Sequence, residues 1–390
     1  MDTDIRQRIS ATRYLMIMGI VVLHMPPYKP LHEMVWNSFD LIKGLFSYGL
    51  FKSTVPVLTT ISGFLLFHAG LDKKFSLLFK KKAKTILLPL VIWNLLYALA
   101  VFFVQKNLPN GPTFAQQLYP VEWFTWLNAL TGAFRMPVNY PLNFLRDLFV
   151  ISLMAPFMGV FLRRAPYLGL VIALFIYYFN LDGDLVLRNS MIVNFYIGGL
   201  AATRNWNLKA FDKYAHIAAA VLIFISLGIF LFKIENRDLF IIASPFLVWP
   251  AMSLVTQSGL GKWLVKNSEN SFFIFLTHGP ILLPFWVAYK PFANNIPYPI
   301  FWLFTPILTI AICLSLNRAL QDAFPRLTAV LLGNRGKLSS RSSPIGSGNK
   351  LKPAKIPSPQ WSAPRQLGLT SYFVQKNPKP SIKDEKIKRK

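Results

Sequence analysis

The sequence predicts an all-α fold: a polytopic integral membrane helical bundle of about ten transmembrane helices, followed by a disordered basic C-terminal tail. Three observations carry that reading. Of 390 residues, 53% are hydrophobic and only 15% charged, whereas a soluble domain carries roughly 25% charged residues. The apolar residues gather in runs of about 20, the helical length that crosses a bilayer core of about 30 Å. The formal charge of +26 is unevenly spread, since residues 325–390 hold fifteen Lys/Arg against two acids in a stretch rich in Ser, Pro and Gly. An evenly spread excess would point to nucleic acid; this distribution points to membrane sidedness and a solvated tail. The chain therefore divides into a transmembrane domain, 1–324, and a cytoplasmic tail, 325–390.

The first span, 10–27, follows Arg6 and Arg8 and could be mistaken for a signal peptide. No small-residue cleavage site follows it, only His24-Met25-Pro26-Pro27, so it reads as an uncleaved helix. Further spans are expected at 45–69, 84–105, 142–162, 165–181, 187–203, 214–233, 238–256, 270–289 and 297–323, those at 165–181 and 187–203 being short. With the N terminus in the cytoplasm, inner segments hold 16 Lys/Arg and outer segments 8, before the tail is counted. That bias places both termini of a multi-pass chain in the cytoplasm. The longest loop, 106–141, then lies outside, where Trp123, Trp126 and Tyr140 suit a membrane interface.

Some chemistry is excluded. The single cysteine, Cys313, rules out an intrachain disulfide and a cysteine-built zinc site, and no other metal-ligand motif is present. No Gly-x-Ser-x-Gly elbow, P-loop, dinucleotide fingerprint or His-Glu-x-x-His occurs.

The informative residues are polar ones inside the spans. Arg13 and His24 are eleven positions apart, about 20° past three full helical turns, so they share a helix face about 16 Å apart along the axis. Arg13 reads either as a snorkelling anchor or as part of a site. His278 enters the ninth span to about 12 Å from its inner end, a depth comparable to that of His24. Two such histidines either serve proton transfer or make separate interhelical hydrogen bonds. The inner loop carrying Lys80, Lys81, Lys82 and Lys84 attracts anionic lipid or a phosphorylated donor. Arg146 and Asp147 open the fourth span; adjacent residues do not face one another on a helix, so each is expected to have a partner elsewhere, either in structural pairing or in holding a polar acceptor. Thr54, Pro56, Ser62 and Gly63 in the second span read as helix packing.

The ordered set of Arg13-x10-His24, Pro56…Ile61-Ser62-Gly63-Phe64-Leu65-Leu66, the basic inner loop, Asn143-Phe-Leu-Arg146-Asp147-Leu, Phe195-Tyr-Ile-Gly198-Gly199 and Ser271…Phe275-Leu-Thr-His278 resembles the acyltransferase-3 family of integral membrane O-acyltransferases over about residues 10–323. The resemblance implies no bound cofactor, acyl-CoA as co-substrate from the cytoplasm, and a sugar hydroxyl as acceptor. It assigns Arg13 and His24 to the active centre. The segments 13–28 and 138–148 look closest to exopolysaccharide-modifying members, which implies a succinyl group, from succinyl-CoA, and a lipid-linked oligosaccharide or exopolysaccharide such as succinoglycan. On that reading the donor's phosphates sit near Arg13, Lys80, Lys81, Lys82 and Lys84. His24 acts as general base or becomes acylated, while His278, Arg146 and Asp147 serve the acceptor or accessory roles. Membrane lipid is the remaining partner expected. The competing class is a transporter or flippase for a glycan or organic anion, with His24 and His278 as proton-coupling groups.

Overall fold

The computed structural model describes residues 1–108 and 114–334. Among them there is no strand; the chain is a helical bundle. We number its helices α1 (Thr3–Leu23), α2 (Ser38–His68), α3 (Phe75–Asn107), α4 (Trp123–Thr131), α5 (Tyr140–Arg164), α6 (Pro166–Phe179), α7 (Ser190–Thr203), α8 (Ala215–Leu231), α9 (Asp238–Thr256), α10 (Gly259–Asn267), α11 (Ser271–Tyr289), α12 (Tyr298–Ala323) and α13 (Pro325–Leu331).

Each of the ten expected spans corresponds to a helix, yet seven helical stretches among the described residues are long and apolar enough to cross a membrane: 38–68, 75–107, 140–164, 212–231, 238–256, 259–292 and 298–323. The three others differ for physical reasons. Asp4, Arg6, Arg8 and Arg13 dilute the hydropathy of α1. Helices α6 and α7, of 14 residues each, reach only about 21 Å. Every residue of α7 from Met191 to Ala201 is buried, so protein rather than lipid surrounds it. In contrast, Tyr167, Leu168, Val171, Phe175 and Tyr178 of α6 are exposed, as are Ile300, Leu303, Phe304 and Ile307 of α12. Apolar strips of this kind fit lipid, not water. The chain is a multi-pass membrane protein.

The tightest packing is that of α2 on α7. A Cβ on Gly63 would collide with the Phe195 carbonyl, and one on Gly198 with the Thr60 carbonyl, so glycine at both positions lets two backbones touch. The polar residues of α2 do not oppose this. Thr59, Thr60 and Ser62 donate to the carbonyls of Val55, Pro56 and Leu58 at 2.7–2.9 Å within the helix, which satisfies hydroxyls without any outside partner. Ahead of this segment α2 is irregular, with a π-helical stretch Gly44–Gly49 and a 3-10 turn Leu50–Ser53.

Ion pairs hold the end of the bundle expected to face the cytoplasm. Arg8 grips Asp212 through both guanidinium nitrogens at 2.7 and 2.6 Å, and Arg163 pairs with buried Asp72. Lys209 bridges Asp2 and Asp4 at 2.7 and 2.8 Å. The Lys209 ammonium and the Asp4 N–H together hold the Asp2 carboxyl below its ordinary range.

Helical structure continues past the expected boundary at 324. Residues 325–331 form α13, with Leu331 and Leu332 buried and the Trp93 indole donating to the Leu331 carbonyl at 3.2 Å. Residues 325–334 therefore belong with the transmembrane body, held there by the buried side chains of Leu331 and Leu332. The rest of that tail, 335–390, lies outside the described residues.

Candidate active site

Helix α1 ends at His24, whose N–H still bonds to the carbonyls of Ile20 and Val21 at 3.2 and 3.3 Å. Pro26 and Pro27 follow, and proline cannot extend the ladder. The last side chain of the helix is thus presented at its open end. His24 Nδ1 lies 2.9 Å from the Ile20 carbonyl. In α11, fully buried His278 places Nδ1 at 2.9 and 3.1 Å from the carbonyls of Phe275 and Ile274. Its Nε2 lies 3.2 Å from His24 Nδ1. The two histidines therefore do converge.

The carbonyls fix the tautomers. A carbonyl oxygen only accepts, so each Nδ1 that approaches one carries the proton. His278 Nε2 then holds a lone pair and shares the His24 Nδ1 proton. His24 Nε2 is left as an unprotonated nitrogen with no hydrogen bond among the described residues. A neutral imidazole held by its Nδ1 and open at Nε2 is arranged to take a proton.

The wall around the pair comes from the segment before α5. Pro280 has no N–H to give to the Leu276 carbonyl four residues back, and Asn139 Nδ2 donates to that carbonyl instead at 3.4 Å. The Asn139 N–H is in turn held by Asn94 of α3 at 3.1 Å. Next in sequence, the Tyr140 ring stands edge-on to His24 with centroids 5.7 Å apart. Phe144 packs edge-on against Phe275, itself against His278. Between Tyr140 and Phe144, Asn143 is fully buried with both amide atoms unbonded. Asparagine inside an apolar span was the signal that could have singled out Asn94 and Asn143.

Arg13 is half-buried on the face of α1 that His24 shares, without an acidic or hydrogen-bonding partner among the described residues. Other faces of α1 are occupied: Tyr14 meets Trp263 and the Arg8 guanidinium lies over Trp249. A polar cleft of about 560 Å³ lined by Asp4, Gln7, Arg8, Lys209, Asp212 and Lys262 meets α1 at positions about 100–200° around the helix from His24.

Arg146 and Asp147 each find the partners expected elsewhere, and one another as well. Arg146 and Asp147 do bond each other, Nη1 to Oδ1 at 3.0 Å, because the long Arg146 side chain curls back at the helix start. Arg146 also donates to the carbonyls of Gly132, Ala133 and Leu185. Asp147 accepts the N–H groups of Leu187 and Arg188 at 3.1 and 3.0 Å. The pair staples two loops to α5. Lys80, Lys81, Lys82 and Lys84 lie in the first turns of α3, whereas α1 packs chiefly on α2, α9, α10, α11 and α12.

The acyltransferase domain family matches residues 6–318. The chain belongs to the acyltransferase-3 family. It is an acyltransferase, and membership selects group transfer over the transporter reading. Among its relatives, the succinoglycan biosynthesis protein ExoH of Rhizobium meliloti (strain 1021) is 31% identical over 354 residues, covering 86% of this chain and 94% of that protein. No solved structure matches. Within this family member the paired histidines, the Asn139–Tyr140 wall and unpaired Arg13 form the candidate active centre.

Proposed function

We propose that the protein transfers a succinyl group from succinyl-CoA to a sugar hydroxyl of a lipid-linked exopolysaccharide such as succinoglycan, in the bacterial inner membrane with both termini in the cytoplasm. The likeness to ExoH supports the acceptor, and the charge bias supports the orientation. One observation carries the chemistry: His24 is held through Nδ1, leaving Nε2 open.

His24 Nε2 takes the proton from the acceptor hydroxyl as its oxygen attacks the thioester carbonyl carbon. The tetrahedral adduct collapses by breaking the carbon–sulfur bond, and the departing thiolate receives the proton from His24. The products are the sugar ester and free CoA. The Ile20 carbonyl and His278 Nε2 stabilise the transient imidazolium through its Nδ1–H. Arg13, about 16 Å toward the cytoplasm, meets the donor's phosphates. Exposed Lys80, Lys81 and Lys84 with Lys82 draw the polyanionic donor to that face by longer-range attraction.

Detergent-purified protein supplied with succinyl-CoA and a lipid-linked glycan is expected to release CoA thiol, and His24→Ala to lower the rate about 10²–10⁴-fold. Equal rates for the two proteins would remove His24 from the chemistry.

A further inference from the structure

Two cations beside His24 have no task in the mechanism above. Lys52 stands in the 3-10 turn Leu50–Ser53, which packs on α1; there the Phe51 ring fills the space that a Cβ on Gly19 would need. That contact places the turn carrying Lys52 beside the last turns of α1. Arg188 approaches from the loop before α7, its backbone N–H held at 3.0 Å by Asp147, which is fully buried and braced by Arg146. Both side chains are half-buried. They lie within electrostatic range of His24 and of each other. Neither has an acidic or hydrogen-bonding side-chain partner among the described residues. The neighbouring cation Arg237 is already engaged, 3.7 Å from Glu235 and over the Tyr48 ring.

Two like charges gathered in a half-buried place without an anion cost free energy, and a carboxylate between them would relieve both the repulsion and the lost hydration. The location narrows the identity of that anion. His24 marks where the acyl carbonyl carbon reacts, and in a succinyl group the free carboxylate is three carbon–carbon bonds from that carbon. We infer that Lys52 and Arg188 form a carboxylate subsite that selects a dicarboxylic acyl group over an uncharged one of the same length. The inference rests on the proposed acyl transfer and names its specificity residues. It also gives the Arg146–Asp147 staple a purpose, since that staple fixes the backbone from which Arg188 reaches.

The test compares succinyl-CoA with butyryl-CoA, equal in carbon number but lacking the carboxylate, as donors to one lipid-linked glycan. In Lys52→Met and Arg188→Met the ratio of kcat/KM for succinyl-CoA to that for butyryl-CoA should fall about tenfold or more. Lys52→Arg and Arg188→Lys should restore most of it, which separates lost charge from lost folding. A ratio unchanged from wild type overturns the subsite. So does an equal fall for both donors accompanied by a raised KM for the glycan, which would assign the cations to the acceptor. If wild type transfers neither donor, the acyl-transfer reading itself fails, and that result appears before any variant is made.

Discussion

Asn143 is the residue whose environment asks most for an explanation. Its amide is fully buried and neither its nitrogen nor its oxygen is bonded, a condition that costs about 1–3 kcal/mol. Its flanking residues Tyr140 and Phe144 touch His24 and Phe275, which places it in the wall of the reacting space. Asn143→Leu should therefore stabilise the empty protein, raising its melting temperature in detergent, while lowering turnover about tenfold. An unaltered rate would mean that the amide meets no reactant. Legibility at this scale was partial. The Arg13–His24 register could be read directly from the sequence, because the helix advances about 100° per residue and eleven residues return nearly to the same face. That His24 keeps Nε2 open could not, because it depends on which carbonyls each Nδ1 meets after two helices have packed.

At the scale of elements, the close approach of α2 and α7 was foreshadowed by the small residues around Gly63, whereas Gly198 stood out only as part of a motif and its packing against Thr60 comes from the structure. The two positions interlock, each facing a backbone carbonyl of the other helix. Gly198→Val should separate the helices and lower the melting temperature sharply, with a cost of about 1–3 kcal/mol or more from overpacking. A thermal melt in detergent checks it, and an unshifted transition would show that the helices can part freely. The Arg146–Asp147 pair shows the limit of periodicity. Adjacent helical residues point about 100° apart, yet a long guanidinium at a helix start can fold back across that angle and collect loop carbonyls. The loops it binds, 132–133 and 185–188, are far away in sequence, so no local pattern announces them. The Pro280 and Asn139 arrangement is of the same kind: the proline announces an unbonded carbonyl, but not who bonds it.

For the whole molecule, composition alone indicated a membrane bundle, because so much apolar surface has no other solvent. It did not separate helices that face lipid from α7, which faces protein on all sides and can therefore be short. Nor did it show that residues 325–334 pack onto the transmembrane body, since that short stretch runs straight into a basic, Pro/Ser-rich segment. The contacts of α13 do show it. Leu331 and Leu332 are buried, Trp93 bonds to the Leu331 carbonyl, and Gly333, with φ of +64°, sits close against Lys84 and Thr85. Two truncations separate composition from packing. Removing 335–390 should leave the melting temperature near that of the full chain, since none of the contacts just described is lost. Removing 325–390 takes away two buried leucines worth about 3 kcal/mol together and strips Trp93 of its acceptor, so its melting temperature should fall by several degrees. Equal melting temperatures for the two truncations would return the boundary to 324, whereas a large fall for the shorter deletion would extend the structural body past 334.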